Sequence, residues 1–162
     1  MARDDSAAEA CFRERYPALV RFLHGMVRDR ARAEDLAQES FRRLLIKGPA
    51  GRPDADRWVF RVARRLALDE LKIERRRRER ERSWEPDADL PSFDPDDVAR
   101  VRAVVDTLPE RAREVLLLRE LTGLSYREIA DVVGRGENVV KQDLFRAREA
   151  LRRAWHTSRE TL

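Results

Sequence analysis

The side chains of this chain best suited to chemistry are six that fit a polyanion: Asn138, Lys141, Gln142, Phe145, Arg146 and Arg148. They recur at helical spacing opposite Val140, Leu144, Ala147 and Leu151, so one helix would bury the apolar set and present the other. Amide, ammonium and guanidinium groups hydrogen-bond phosphates and base edges, and a Phe can lie against a thymine methyl. The pattern therefore points to duplex DNA. A solvated helix would not normally place an aromatic among cations. The competing explanation is a helical hairpin in which Phe145 packs on a neighbouring helix.

The residues upstream supply the punctuation of a helix-turn-helix over Leu121 to Arg153. Gly123 suits a left-handed helix end, and Ser125 followed by Glu128 has capping-box spacing, so a short helix is expected from Tyr126. Ile129, Ala130 and Val133 form its inner face. Gly134 stops it and Gly136 is a tolerable N-cap for the next helix, which leaves a turn of Gly134 to Gly136.

Other chemistry is poorly represented. Cys11 is the only cysteine, so neither an intrachain disulfide nor a thiolate zinc site can be assembled. His24 and His156 are too far apart in sequence for a convincing metal or acid–base site, and no glycine-rich phosphate loop or nucleophile motif appears. No catalytic constellation, metal site or cofactor is expected. No apolar run approaches the ~18 residues that span a bilayer, and the N-terminus lacks the apolar core of a signal peptide. A cytoplasmic protein without membrane insertion is expected. Charged residues make up 41% of the chain while the net charge is only +4, and acidic and basic runs are segregated, which suits a nucleic-acid partner better than a small acidic substrate.

Along the chain, 162 residues allow two small helical domains. A first core helix over about Ala7 to Val27 carries Phe12, Tyr16, Leu19, Phe22, Leu23, Met26 and Val27, with a break or fresh start expected at Pro17. After a connection at Asp29 to Arg32, a second helix points Leu36, Phe41, Leu44 and Leu45 inward and ends at Gly48. Asp35, Gln38, Glu39 and Arg42 make one stripe on its other side, either a solvated surface or a binding face. Gly48 to Asp56 reads as a turn-rich loop. A third helix, roughly 39 Å long, runs from Asp56 to about Arg82 through Trp58, Val59, Val62, Ala63, Leu66, Ala67, Leu71 and Ile73. It ends in ERRRRERER, which has no apolar face. Trp58 is either core or a stacking group, and Arg61, Arg64 and Arg65 lie near it. From Ser83 the composition shifts to SWEPDADLPSFDPDD, which reads as an extended acidic linker over 83–95. The second domain, 96–156, begins with a helix carrying Val98, Val101, Val104 and Val105. A helix restarted at Leu108-Pro109 follows, with Ala112, Val115, Leu116 and Leu121 inward, and then the helix-turn-helix.

In order, the motifs AEDLAQESF, WVFRVARRLALDEL, the acidic linker, LPERAREVLLL, GLSYREIADVVG and VVKQDLFRAREALR resemble an extracytoplasmic-function sigma factor, a minimal RNA polymerase sigma subunit. The resemblance spans nearly the whole chain and implies an all-α fold of two domains. These would be a sigma-two domain over 7–82 that binds core polymerase and the -10 element, and a sigma-four domain over 96–156 that reads the -35 element and touches the polymerase flap. It implies core RNA polymerase, promoter DNA and an anti-sigma factor as partners, and promoter recognition rather than enzymatic activity. Asp35, Gln38 and Glu39, with Arg42 on the same stripe, match the core-binding positions. Trp58, Arg61, Arg64 and Arg65 match the -10 positions, and the loop Gly48 to Asp56 matches the one that captures a flipped base. Lys141, Gln142, Phe145 and Arg146 match the -35 positions, with Asn138 and Arg148 on the same outer side.

The chain departs from that pattern at Arg65 (usually asparagine), Gly136 (usually a serine cap) and Asp143 (commonly basic). Beside Lys141, Gln142 and Arg146, Asp143 is expected to face DNA. It would either pair with Arg146, worth about 0.2–0.5 kcal/mol, or accept from a cytosine amino group, worth about 1–3 kcal/mol of discrimination. Two rival classes make different predictions. A free-standing regulator would bind a palindromic site without polymerase, and a protein-binding adaptor would have no salt-dependent DNA affinity.

Overall fold

Apolar residues at periods of three and four dominate the sequence, and in the computed structural model, which describes residues 2–81 and 95–159, all regular structure is helical. The helices form two compact units, one built on α1 (Ala2–Val27), α2 (Arg30–Lys47) and α3 (Ala55–Glu81), the other on α4 (Pro95–Thr107), α5 (Glu110–Thr122), most of α6 (Tyr126–Val133) and α7 (Glu137–Arg159). The acidic linker lies outside the described residues apart from Pro95, which opens α4 at the position where a missing N–H costs nothing.

In the first unit each helix packs on the other two. Leu19, Phe22, Leu23 and Met26 of α1 meet Ala33, Ala37, Phe41 and Leu44 of α2 and Val59, Phe60, Ala63 and Ala67 of α3, all buried. The Phe22 and Phe60 rings meet edge to face with centroids 6.2 Å apart. Contrary to expectation, α1 runs unbroken through Pro17. An interior proline costs about 3 kcal/mol, but burial of Leu19, Phe22 and Leu23 contributes about 1.5–3 kcal/mol each, so packing wins. The α1–α2 connection is also shorter than expected. Arg28 takes the left-handed conformation (φ 63°), and Asp29 caps α2 by accepting from the Arg32 backbone N–H at 2.9 Å. The inner face of α2 is Ala33, Ala37, Ser40, Phe41 and Leu44, while Leu36 is half-buried and Leu45 points outward. Small residues let α2 approach its neighbours closely, and that choice turns Leu45 away from the core. Ile73 of α3 is likewise exposed.

The start of α3 is tied to α1 by polar contacts. Asp56 accepts from Arg15 Nε at 2.6 Å and from the Cys11 thiol at 3.2 Å. Burial and the Asp56 carboxylate push the thiol pKa up to about 12.

In the second unit α5 packs on α7, with Ala112, Val115, Leu116 and Leu118 facing Val140, Leu144 and Ala147. Leu121 and Leu151 are half-buried. Arg113 reaches back from α5 to the carbonyls of Val105 and Asp106 in the last turn of α4 and of Leu108 just beyond it. None of the four valines of α4 is fully buried, and Val101 is exposed. Together α4 and the last turns of α7 leave an apolar groove of about 490 Å³ lined by Val101, Val104, Leu151 and Trp155 and flanked by Arg100 and Arg152.

Candidate functional site

The helix-turn-helix assembles from the local signals read in the sequence. Gly123 ends α5 at φ 69°, and Ser125 and Glu128 form a reciprocal capping box at the start of α6. Gly134 ends α6 at φ 67°, a conformation that favours glycine, with its own N–H and that of Arg135 both donating to the Ala130 carbonyl. Gly136 then occupies the N-cap position of α7, its carbonyl accepting from Val140 N–H.

From α7, Asn138, Lys141, Gln142, Phe145, Arg146 and Arg148 are all exposed. Phe145 is 66% exposed, so it does not pack on a neighbouring helix within its unit. Asn138, Gln142 and Phe145 run along the crest, with Lys141 and Arg148 on one flank and Arg146 on the other. Lys141 pairs with Glu137 one turn earlier at 2.9 Å and stands 5.8 Å from the Tyr126 ring, whose face also carries Arg119 at 4.9 Å. Arg148 is tied to α5 by a 2.8 Å bond to Glu120, which with Tyr126 raises its pKa above the ordinary arginine value. Tyr126 and Arg119 were not singled out in the sequence, because only the turn brings them beside α7.

Asp143 corrects the reading of that face. It does not face outward and has no bond to Arg146; it is buried, 2.8 Å from Arg135 Nη1 and 3.5 Å from Arg111 Nη2. Arg135 also donates to Glu114, itself buried on α5. Both ideas for Asp143 at DNA therefore fall. A carboxylate with a guanidinium partner inside the unit is more stable there than unpaired beside other groups facing a polyanion.

In the first unit, Asp35, Gln38 and Arg42 are exposed and Glu39 is half-buried, on the side of α2 opposite its core residues. Glu39 accepts from Arg42 at 2.7 and 2.9 Å and from Arg43 at 2.7 Å, and these bonds hold its carboxyl down at about 2. The stripe is thus a mixed polar surface rather than an acidic one. It ends in two bare apolar side chains, Leu45 and Ile46, 60% and 61% exposed. They stand seven residues after Gln38 and Glu39, so the same helical spacing that defined the stripe reaches them.

On α3, Trp58, Arg61 and Arg65 share the face turned from the core, Trp58 half-buried and both arginines exposed, with Arg64 half-buried on the flank. The preceding loop is built on tight turns, Arg52 N–H donating to Pro49 and Ala55 N–H to Arg52, with Gly51 at φ 76°. Trp58 N–H donates to the Asp54 carbonyl at 3.0 Å, which fixes the Trp at the mouth of that loop.

Comparison with known proteins follows this division. The family Sigma-70 region 2 matches residues 11–78, and Sigma-70, region 4 matches residues 99–151. The chain is 36% identical over 155 residues to the probable ECF RNA polymerase sigma factor SigI of Mycobacterium tuberculosis, covering 88% of this chain and 53% of that one. It therefore spans about half the length of that relative. It is 31% identical over 151 residues to the ECF RNA polymerase sigma factor SigC of the same species, covering 90% of this chain and 81% of the other. In fold it resembles a chain from the co-crystal structure of the sigma factor RpoE with the anti-sigma factor NepR from Bartonella quintana, with a TM-score of 0.77, 19% identity and coverage of 90% and 94%. With both region families in order and relatives of this kind along most of its length, the chain belongs to the extracytoplasmic-function RNA polymerase sigma factors of the sigma-70 family.

Proposed function

We propose that this chain is a non-enzymatic, cytoplasmic specificity subunit that binds core RNA polymerase and directs it to promoters. The observation that carries the reading is the outer face of α7, where Phe145 stands exposed among Lys141, Gln142 and Arg146 on a helix-turn-helix whose first helix is capped at both ends. Such a helix fits the major groove: Lys141 neutralises phosphate, Gln142 bonds a base edge, and Phe145 covers a thymine methyl. In this reading the second unit takes the -35 element. The groove between α4 and α7 offers an apolar seat for the polymerase flap.

The first unit docks on polymerase through Asp35, Gln38, Glu39 and Arg42. Exposed Leu45 and Ile46 support a protein partner there, because a face meant only for water has no use for two adjacent bare aliphatics. Trp58, Arg61, Arg64 and Arg65 face the -10 element, and the loop from Gly48 to Asp56 takes up a flipped base at a cost of about a few kcal/mol, which melted DNA returns as new contacts. An anti-sigma protein is a further partner in this reading. No described helix is long and apolar enough to cross a membrane.

The test is reconstitution with core polymerase. The chain should copurify with core and restore initiation at discrete start sites that core alone does not use. A chain that binds a palindromic duplex without polymerase, or that leaves core unselective, would refute the proposal.

A further inference from the structure

The turn of the helix-turn-helix holds one large side chain, Arg135, between two glycines, and that side chain points inward. Its side chain is only 15% exposed, and its guanidinium lies between Asp143 of α7, whose side chain is 10% exposed, and Glu114 of α5, whose side chain is 3% exposed. Each terminal nitrogen serves one carboxylate, Nη1 bonding Asp143 at 2.8 Å and Nη2 bonding Glu114. Arg111 approaches Asp143 from the solvent side at 3.5 Å. Two buried carboxylates bound to one guanidinium would repel one another without that cation between them. The planar fork of an arginine meets both at fixed angles, which a single ammonium does not.

We propose that Arg135 is the positioning residue of the DNA-reading helix, setting the rotation of α7 on α5 through a buried Glu114–Arg135–Asp143 triad. The proposal rests on the reading of α7 as the -35 helix and names what aims it. The apolar contacts of Val140, Leu144 and Ala147 hold α7 against α5 but are non-directional, so they tolerate sliding and rotation. A directional pair at Asp143 does not. Asp143 adjoins Gln142 and is two residues from both Lys141 and Phe145, so fixing its azimuth fixes theirs. On a helix of about 5–6 Å outer radius, a rotation of about 20° moves the crest by about 2 Å, enough to break a base contact. Gly134 and Gly136 can anchor nothing themselves, and Gly134 must be left-handed, so within the turn Arg135 alone has a side chain for this task.

The triad also implies that its cation is transferable. Asp143 and Glu114 touch the same guanidinium, so a longer basic side chain introduced at position 143 would reach Glu114 directly, and Arg135 would then be dispensable. Chemical denaturation of the full chain tests this with Arg135→Met, Asp143→Arg and the double variant. Each single change should lower the folded-to-unfolded ratio. The double should exceed the product of the singles by about tenfold. Effects that simply multiply would overturn the triad.

Arg135→Lys supplies the second arm, since it keeps a charge and should stay folded but loses the fork. Polymerase reconstituted with the native chain selects an upstream motif from randomised duplexes. With Arg135→Lys, affinity for that motif should fall about tenfold, the worth of one base contact, while binding to unrelated duplex stays the same. Unchanged preference in a folded Arg135→Lys chain would overturn the positioning role. If the native chain itself selects no motif, the DNA reading and the positioning role both fall, yet the denaturation coupling would still be seen, which separates the two failures.

Discussion

α2 and α7 are both amphipathic helices with a charged outer side, and their inner sides are built on different physics. α2 buries Ala33, Ala37, Ser40, Phe41 and Leu44, and its one buried polar group is satisfied within the helix, Ser40 Oγ donating to the Leu36 carbonyl at 2.7 Å. α7 buries Asp143 among Val140, Leu144 and Ala147, and the partners of that carboxylate come from the turn and from α5. Shape therefore sets how α2 lies, whereas a directional charge contact adds to shape in α7. The outer faces carry both kinds of pair. Glu39 with Arg42 and Arg43 and Lys141 with Glu137 pair within their own helices, while Arg32 of α2 reaches Glu70 of α3 and Arg148 of α7 reaches Glu120 of α5. A charge change on α2 should be felt mainly by a partner, and one inside α7 should be felt by the fold.

The largest expected effect is Asp143→Ala, which takes from the buried Arg135 one of its two carboxylates and from Arg111 its partner across the helix pair. A loss of about 3–5 kcal/mol is expected from breaking a buried ion pair, read as a drop in the urea midpoint. A loss no greater than that of an ordinary surface change would erase the contrast between the two helices.

On α2 the matching experiment should leave the fold intact. Replacing Asp35, Gln38 and Glu39 together with alanine should preserve helicity by circular dichroism and weaken core polymerase binding by about 2 kcal/mol or more. Unchanged affinity in that triple variant would remove the docking role of the stripe. Leu45→Ala and Ile46→Ala sharpen the point, since both side chains are exposed and their loss should weaken docking without lowering stability.

Phe145→Ala and Lys141→Ala divide the outer face of α7 into readout and charge. The first should cost about 1 kcal/mol of discrimination between promoter and altered upstream DNA. The second should weaken all sequences alike and reduce the salt slope by about one phosphate contact. Identical behaviour of the two variants on a panel of single-base changes would mean that the face does not separate these roles.

The smallest effect is a titration. Hydrogen bonds from Arg42 and then Arg43 lower the Glu39 carboxyl from an ordinary 4.5 to about 2. Its folded pKa lies below the unfolded one, so the contribution of these pairs is present above the ordinary carboxylate range and is lost as the pH falls through about 2. Carboxyl carbon shifts followed from pH 6 downward, roughly the range over which carboxylates titrate, should show Glu39 protonating well below its ordinary value. A midpoint in the ordinary range would show that the two arginines do not hold it in solution.

The sequence by itself determined the features that depend on neighbours a few residues away. The capping box of Ser125 and Glu128, the left-handed stops at Gly123 and Gly134, and the helical faces through Leu19, Phe22, Leu23 and Met26 are all properties of local spacing, and each stands where the pattern placed it. Tertiary structure decided what depends on distant partners. Leu45 and Ile73 follow helical periodicity yet remain outside, Leu45 because the buried face of α2 runs through Ala33, Ala37, Ser40, Phe41 and Leu44 instead. Phe60 is completely buried although the sequence drew attention to Trp58, since only the placement of Phe22 gives the Phe60 ring its partner. For Asp143 an outward position was the natural expectation of a charged residue among polar ones. The cation that makes burial favourable lies eight residues away in the turn, and the carboxylate sharing it lies twenty-one residues before that cation. A charge turns inward only when its counter-charge is already held there, and holding it is the work of the assembled fold.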